Sequence, residues 1–408
     1  MIASPVPFKS RIHSLDVLRG FAILGIRIMN IQSFSMPEAA YLNPMAYGDM
    51  TGLNKWVWIL SHTLAAHKFM SIFSMLFGAG IFLMSTKIEA QGKNPAGFYY
   101  RRIFWLLVIG LIHAYGFWYG DILVAYAMCG LLVYLFRKLK SGWLIFFGLL
   151  SMLVGSGLYL FFGLTMDFWP PEAIESTRSF WMPAPEAINN ELAAYRGTWM
   201  EAFNQRYPMA FFMETMVFMI NYSWHTGGLM LIGMGLFKLG ILSAARSDRF
   251  YNIHMIIAFL IGFSLVLLGL QYNFAHDWKF EYSMYQGAQF NYWGSLFVAY
   301  GYVCLIMRLF KSRYLHDFKE SLAMVGRAAL SNYLFQTLLC TTLFYGYGFG
   351  LYGHVGRASA MVIVLIVWAI QVLLTRLWMD RFYFGPVEWL WRSLTYWKKQ
   401  PLRKEEAK

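Results

Sequence analysis

Ionisable side chains lie inside an apolar segment near the start of the chain, where they could bind a charged ligand. The run from Ser14 to Asn30 is mostly apolar, yet it contains Asp16, Arg19 and Arg27. A charged side chain at the centre of a bilayer costs on the order of 3 kcal/mol or more, so such residues are functional candidates by default. Arginine binds phosphate through charge-assisted hydrogen bonds, which makes Arg19 a candidate anion clamp.

The estimated depths of four polar residues converge. At about 1.5 Å per residue, Arg27 and Asn30 lie near the middle of the first apolar segment, and Lys68 and His113 lie near the middle of the second and third. We therefore expect these residues to surround a shared cavity. His113 is suited to proton transfer near neutral pH. Asp121 is placed to orient His113 or an acceptor hydroxyl, and Asn30, Arg27 or Lys68 could stabilise an oxyanion.

Each of these residues also has an ordinary structural alternative. Asp16 and Arg19 could be a helix cap and an anchor at the inner interface. Arg27 could extend towards the interface or pair with Asp16, and Lys68 could have a similar role. His113 could be a histidine that packs between helices. The sequence leaves these alternatives open.

Three candidate residues lie at the boundaries of the third segment. Arg101 and Arg102 stand at its inner start, where they could bind donor phosphates or serve as cytoplasmic anchors. Asp121 lies in the turn after it, between Gly120 and the fourth segment, and could be a plain turn or cap residue.

Composition identifies the elements that must position these residues. Hydrophobic residues make up 58% of the chain and charged residues 13%, against roughly 25% charged in soluble domains. The mean hydropathy is +0.46, which indicates an all-α integral membrane protein. Despite a net charge of +13, no basic run with interleaved aromatics suggests nucleic-acid binding. The three cysteines lie in apolar segments and imply neither a disulfide framework nor a metal site.

Ten apolar segments of suitable length predict a multi-pass protein of the inner (plasma) membrane. They cover residues 17–35, 57–84, 103–119, 121–136, 143–163, 209–240, 251–270, 289–309, 328–347 and 358–376. With both termini in the cytoplasm, 26 of the 34 basic residues are inside and 6 are outside. We expect one domain over residues 1–396 and a polar, disordered cytoplasmic tail over 397–408.

We expect irregular structure in two segments. The sixth is too long for one straight crossing, and we expect a break or kink between Asn221 and Gly228. The segment 165–208 should lie outside the membrane, where residues Ala187 to Tyr207 could form one amphipathic surface helix. A connection of this length is usually functional or has structure of its own.

Several motifs together resemble the YeiB-like family, also called domain of unknown function 418. They are Arg11 to Asn30, Lys68 to Gly80, Tyr100-Arg-Arg through His113-Ala to Gly120-Asp-Ile-Leu123, Gly326 to Gln336, and Gly385-Pro-Val-Glu-Trp-Leu-Trp-Arg392. The resemblance covers nearly the whole chain. The family is grouped with transmembrane acyltransferases, including the acyltransferase-3 enzymes and heparan-alpha-glucosaminide N-acetyltransferase.

The resemblance implies acyl-CoA, with acetyl as the expected acyl group, as a cytoplasmic donor, and a sugar or lipid-linked acceptor outside. Asp16, Arg19, Arg27, Lys68, Arg101 and Arg102 are then the donor-site candidates, and His113, Asp121 and Asn30 the catalytic ones. One departure matters. In acyltransferase-3 enzymes a histidine follows the first-span arginine by eleven residues, whereas here Asn30 follows Arg19. His113 resembles instead the later-span histidine of the N-acetyltransferase relatives.

We therefore expect a membrane-bound acyltransferase with no metal, whose partners are membrane lipid, acyl-CoA and an envelope glycan or lipid-linked acceptor. A homodimer is compatible with this expectation. One alternative is a transporter or flippase for a lipid-linked or small organic solute, in which the buried charges form a proton relay or substrate site. Another is a nonenzymatic membrane partner of an envelope pathway.

Overall fold

The computed structural model describes residues 12–404, which fold almost entirely into α-helices. Arg11 and the tail residues 405–408 lie outside the described residues. The helices are α1 (His13–Ser35), α2 (Ala39–Leu42), α3 (Gly52–Leu64), α4 (Lys68–Glu89), α5 (Ala96–Gly116), α6 (Leu123–Val133), α7 (Ser141–Leu164), α8 (Pro171–Trp181), α9 (Pro185–Arg196), α10 (Trp199–Phe212), α11 (Ser223–Lys238), α12 (Asp248–Ala275), α13 (Phe280–Tyr282), α14 (Ala288–Lys311), α15 (His316–Arg327), α16 (Ala329–Phe344), α17 (Arg357–Arg381) and α18 (Pro386–Tyr396). This part of the chain has no β-strand, only one isolated bridge between Phe382 and Arg403.

Five stretches of helix are long and apolar enough to cross a membrane. They are Gly52–Glu89, Ser141–Leu164, Asp248–Ala275, Phe280–Lys311 and Arg357–Arg381. These stretches coincide with five of the ten predicted segments, and they identify a helical, membrane-type protein. The other five predicted segments fall on helices that are shorter, such as the 11 residues of α6, or that carry more ionisable side chains, such as α1.

Helix α1 lies at the centre of the fold and packs against α4, α15, α16 and α17. Its contact with α15 depends on small residues. A Cβ atom on Gly20 would overlap the backbone of Leu322, and one on Gly326 would overlap the backbone carbonyl of Asp16. Close backbone approach at such small residues is the usual way in which helices associate inside membranes. It fixes the depth of α1 relative to its neighbours.

The second predicted segment is discontinuous. Helix α3 ends at Leu64 and α4 begins at Lys68, and between them His67 has a left-handed φ of 65°. The predicted segment 57–84 lies within the apolar stretch Gly52–Glu89, but Lys68 lies at the start of a helix and not in the interior of a continuous one. Lys68 is the first residue of a new helix, because the left-handed residue before it ends the preceding hydrogen-bond ladder.

The sixth predicted segment is irregular, but earlier than expected. Residues Met213–Tyr222 form wider, π-helical turns, and α11 then continues without interruption through Ser223–Lys238. The break predicted between Asn221 and Gly228 is therefore absent, and these residues are helical. The π-helical turns contact α6 and α7. Such turns are often part of a functional site.

The segment 165–208 contains three helices instead of one. Helices α9 and α10 meet at Gly197, and Thr198 caps α10 by a reciprocal pair of hydrogen bonds with Glu201. The predicted continuous helix Ala187–Tyr207 was therefore wrong. The capping box starts a new helix in the middle of the amphipathic pattern.

The predicted disordered tail is ordered over residues 397–404. The Tyr383 N–H donates to the Leu402 carbonyl and the Lys404 N–H to the Arg381 carbonyl, both at 2.9 Å. The Trp389 indole N–H donates to the Gln400 carbonyl at 2.7 Å. These bonds fold the tail back onto the ends of α17 and α18, which its polar composition did not suggest.

Candidate functional site

A buried hydrogen-bonded chain joins Asp121, His113 and Thr337. The His113 Nδ1 lies 2.6 Å from Asp121 Oδ2, and its Nε2 lies 2.9 Å from Thr337 Oγ1. The side chains of His113 and Asp121 are only 3% and 1% exposed. A carboxylate accepts hydrogen bonds, so we assign the imidazole proton to Nδ1, and Nε2 then accepts the Thr337 hydroxyl proton. A neutral imidazole in this tautomer can act as a general base towards the Thr337 hydroxyl.

The ends of two helices hold the histidine and the carboxylate together. Helix α5 ends at Gly116, and Arg206 of α10 donates to its last carbonyls, those of Tyr115 and Gly116, at 3.1 and 2.9 Å. The chain then turns and enters α6, where the second oxygen of Asp121 accepts the Val124 N–H at 2.8 Å. Asp121 is therefore both the cap of α6 and the partner of His113. The two alternatives that the sequence left open for Asp121 coexist.

A cavity of about 420 Å³ approaches this chain of residues from one end of the bundle. Its walls are formed by helices α1, α4, α5, α6, α15, α16 and α18. Most of its lining is apolar, including Ile23, Ile26, Phe73, Phe77, Leu106, Ile122 and Leu123. Tyr333 lines the cavity and also contacts His113, with 5.1 Å between the ring centroids. The apolar end of the cavity is thus separated from His113 by one aromatic ring.

The other end of the cavity is cationic. Five basic residues line it, with two carboxylates among them: Arg19, Lys87, Arg102, Arg327, Arg392, Asp16 and Glu388. The Arg19 guanidinium lies 3.0 Å from Asp16, and its side chain is 31% exposed. Along α1 the cavity extends from Ile12 to Ile26, which is about 21 Å of helix. A long apolar cavity with a cationic entrance suits a ligand that has an anionic head and a narrow, less polar arm.

Three of the donor-site candidates line this cavity, and three do not. Asp16, Arg19 and Arg102 form part of its cationic end, whereas Arg27, Lys68 and Arg101 are not among its lining residues. Arg101 and Arg102 point differently because neighbours on a helix are about 100° apart.

Arg27 is fully buried between α1 and α16 and is not paired with Asp16. Its Nη2 donates to the Gln336 carbonyl at 3.3 Å and to the Cys340 Sγ at 2.6 Å. Cys340 lies one turn after Gln336, and Thr337 is the residue between them that contacts His113. Arg27 and His113 thus both form hydrogen bonds with residues 336–340 of α16. They do not form a hydrogen bond with each other.

Lys68 belongs to a different neighbourhood. Its Nζ donates to Asn291 Oδ1 at 2.6 Å and to the His62 carbonyl at 2.9 Å. His67 and His225 lie beside it, with their ring centroids 6.1 Å apart. The shared cavity expected from depth alone therefore does not include Lys68, because equal depth says nothing about direction around a helix axis.

Asn30 lies on α1 one turn beyond Arg27 and is half-buried. Its backbone carbonyl accepts the Ser33 hydroxyl at 2.9 Å. The hydrogen bonds of His113 go to Asp121 and Thr337 and not to Asn30. The structure thus does not bring Asn30 into the hydrogen bonds of His113 and Asp121.

Sequence reasoning missed Thr337, Tyr333 and the basic residues of α15 and α18. Thr337 directly follows the motif Gly326 to Gln336, so the motif was the available signal. Glu388 was quoted only as part of a motif, yet it accepts the N–H groups of Leu330 and Ser331 at 2.6 and 3.1 Å and so caps α16. Its position depends on tertiary contact between α16 and α18, which spacing along the chain does not reveal.

A second polar cluster lies among the connecting helices. Glu38 and Glu191 approach each other there, because the Glu38 N–H donates to Glu191 Oε1 at 2.9 Å. Tyr352 donates to the same oxygen at 2.7 Å, and Tyr195 donates to Glu38 at 3.2 Å. Burial, and then the charge of Glu191, raises the pKa of Glu38 well above its usual range. Burial also raises the pKa of Glu191. Within residues 12–404, no group of three or more acidic, cysteine or histidine side chains is placed to hold a metal ion.

The chain is similar to known proteins along almost its whole length. Residues 236–398 match the family described as "Protein of unknown function (DUF418)". The "Uncharacterized protein YeiB" of Escherichia coli (strain K12) is 34% identical over 94% of this chain and 95% of its own. The "Uncharacterized protein YxaH" of Bacillus subtilis (strain 168) is 31% identical over 98% of both chains. An "Uncharacterized 39.9 kDa protein in amylase 3'region" of Bacillus acidopullulyticus is 27% identical over 99% of both.

Proposed function

The chain belongs to the DUF418 family, and from its buried centre we propose that it is a membrane-bound acyltransferase. It moves an acyl group, with acetyl as the expected one, from cytoplasmic acyl-CoA to a sugar or other acceptor of the cell envelope. One observation carries the proposal. The Asp121–His113–Thr337 chain lies beside the apolar end of a cavity whose opposite end is cationic.

The proposal includes a topology of ten spans in the inner membrane, with both termini in the cytoplasm. The excess of basic residues in the segments assigned to the inside supports this orientation. It places the cationic end of the cavity, with Arg19, Arg102 and Arg327, at the cytoplasmic surface. It places the helices of 165–208 outside, above the end of α5 that carries His113.

The cationic end is suited to the phosphates of CoA. Guanidinium groups bind phosphate by charge-assisted, often bidentate, hydrogen bonds, and three arginines besides Arg19 line this end. The apolar walls then accommodate the arm that carries the thioester. The thioester carbonyl would thus approach the Tyr333 ring.

The buried pair supplies the proton chemistry. The Asp121 carboxylate orients the His113 ring and stabilises its protonated form, so that Nε2 can take a proton from an attacking hydroxyl and return it to the leaving group. Burial strengthens the hydrogen bond between Asp121 and His113, because both side chains are almost completely shielded from solvent.

The test is acetyl-CoA consumption by native membranes from cells that produce the protein. Wild-type membranes should release CoA and transfer labelled acetyl groups to envelope material, whereas His113→Gln should slow release by roughly 10²–10⁴-fold, the usual cost of losing a general base. His254→Gln is the matched control, because the His254 ring bonds only to the Phe250 carbonyl of its own helix among the contacts described. Equal CoA release by wild type and His113→Gln, with both proteins folded, would exclude the proposal.

The alternative of a transporter or flippase has one observation in its favour. The helix broken before Lys68 resembles the discontinuous helices that form solute sites in transporters. Proteoliposomes separate the two functions. A transporter moves labelled solute without acyl-CoA, and it keeps that activity in the His113→Gln variant if the Lys68 region is its site.

A further inference from the structure

The Thr337 hydroxyl contacts a histidine on another helix and not a carbonyl of its own helix. A threonine in a helix can donate to the carbonyl four residues earlier, as Thr86 does to Phe82, Thr215 to Phe211 and Thr395 to Trp391, at 2.6–2.9 Å. The Thr337 hydroxyl lies instead 2.9 Å from His113 Nε2. The side chain is 1% exposed.

The order of groups is that of an activated nucleophile. A hydroxyl, an imidazole and a carboxylate stand in line, with contacts of 2.9 and 2.6 Å, and the carboxylate is held by the Val124 N–H. Threonine and serine hydroxyls become nucleophilic when an adjacent base, oriented by a third group, takes their proton. The spacing of these three groups satisfies that requirement.

On the basis of the proposed function, we propose that Thr337 carries the acyl group as a covalent ester between the two half-reactions. The ester lies where α16 passes from the cavity, at Tyr333, towards the end of α5. Tyr333 and Thr337 are four residues apart and so share one face of α16. An acyl group on Thr337 would need to cross only the Tyr333 ring to leave the donor side.

The first half-reaction acylates the threonine. Thr337 Oγ1 attacks the thioester carbonyl carbon while its proton passes to His113 Nε2. The tetrahedral intermediate collapses, the C–S bond breaks, and the leaving thiolate takes the proton from Nε2 to depart as CoA. Asp121 stabilises the imidazolium throughout.

The second half-reaction returns the threonine to its free form. An acceptor hydroxyl or amine attacks the ester carbonyl and gives its proton to Nε2. The bond between the carbonyl carbon and Oγ1 breaks, and Oγ1 recovers the proton. Because donor and acceptor bind in turn, the two substrates need not meet in one cavity, which suits a donor and an acceptor on opposite sides of a membrane.

The experiment uses the full chain reconstituted in liposomes, with acetyl-labelled acetyl-CoA and no acceptor. We expect CoA release in a burst of at most one per protein, with an equal amount of label on the peptide that contains Thr337. Thr337→Ser should retain the burst, and Thr337→Val should lose the label. Thr341→Val is the matched control, because this buried threonine lies one turn later and donates to the Leu338 carbonyl of its own helix.

The outcomes separate this inference from the proposed function. If Thr337→Val releases CoA in native membranes at the wild-type rate, transfer is direct and the ester is excluded, while the acyltransferase stands. Label on His113 instead of Thr337 also excludes the ester. If the wild type consumes neither acetyl-CoA nor a long-chain acyl-CoA in liposomes or in native membranes, both proposals fail. Peptide mapping of the wild type decides the question even if Thr337→Val does not fold.

Discussion

The guanidinium of Arg102 lies over the indole of Trp391, with its central carbon 3.5 Å from the ring centroid. The same indole donates its N–H to the Arg102 carbonyl at 2.9 Å. Helix α18 therefore holds both the backbone and the charge of Arg102 at the cationic end of the cavity. A cation on an aromatic face is stabilised by about 0.5–2 kcal/mol, and the orientation of Arg102 depends on this contact.

The first prediction concerns this contact. Trp391→Ala should weaken CoA binding several-fold, because Arg102 loses the surface that orients it, whereas Trp391→Phe should keep most of the affinity. Calorimetry with CoA measures both. Trp389→Ala on the same helix removes an indole that bonds the tail at Gln400 and should leave CoA affinity unchanged. If both alanine variants lost the same amount of CoA affinity, the cause would be a disturbance of α18 as a whole and not the contact between Trp391 and Arg102.

The second prediction concerns Arg19. Arg19→Ala should weaken CoA binding by about tenfold or more, since a charge-assisted hydrogen bond contributes about 1.5–3 kcal/mol. The difference from wild type should narrow in high salt because the side chain is partly exposed. Arg178→Ala, an exposed arginine with carboxylate partners, is the control. Identical CoA affinity in wild type and Arg19→Ala would remove Arg19 from the donor site.

The third prediction concerns Asp121. Asp121→Asn should lower the rate of acyl transfer by about 10²–10⁴-fold while the protein still binds CoA, because an amide can cap α6 but cannot hold His113 in the same protonation state. Asp49→Asn is the control, since Asp49 also accepts a backbone N–H, that of Thr51 at 2.8 Å, but is exposed. Full activity in Asp121→Asn would show that Asp121 only caps α6 and is not needed for acyl transfer.

The fourth prediction concerns topology. Asn190→Cys should react with an impermeant thiol reagent from outside the cell, and Tyr314→Cys should react only after the cytoplasmic side is exposed. Both positions are exposed in the structure, whereas Cys129, Cys304 and Cys340 are buried and should give little background. Reaction of Asn190→Cys from the cytoplasmic side alone would reverse the proposed orientation.

The fifth prediction concerns pH. The pKa values of Glu38 and Glu191 are raised in the folded protein, so the folded state binds more protons than the unfolded state above the ordinary glutamate pKa of about 4.3. The stability from this pair is present at lower pH and is lost as pH rises through the raised values. Thermal unfolding of the wild type should therefore shift to lower temperature between pH 5 and pH 8. Glu191→Gln should show a smaller shift, whereas Glu186→Gln, exposed on the same helix, should behave as wild type.

The sequence predicted the class of fold and the pair at the centre of the site. Composition indicated a membrane protein and the lengths of the apolar segments indicated helices. The spacing between His113 and Asp121 across a glycine-containing turn indicated that the two side chains could meet. Thr337 and Glu388 could not be predicted in their roles, because each acts on a helix that is distant along the chain. Lys68 was misplaced because equal depth does not fix the direction around a helix axis. Hydropathy also averages over the left-handed residue at His67, which ends one helix and starts another.

The cavity is built from residues that are far apart along the chain, which sets an order on its biosynthesis. Its walls from α1, α4, α5 and α6 are synthesised before residue 134, whereas Arg327, Tyr333, Trp391 and Arg392 follow about two hundred residues later. A growing chain that has already placed His113 beside Asp121 still lacks the helix that caps α16 and closes the cationic entrance. The cavity would thus stay incomplete until α18 has been synthesised and has docked.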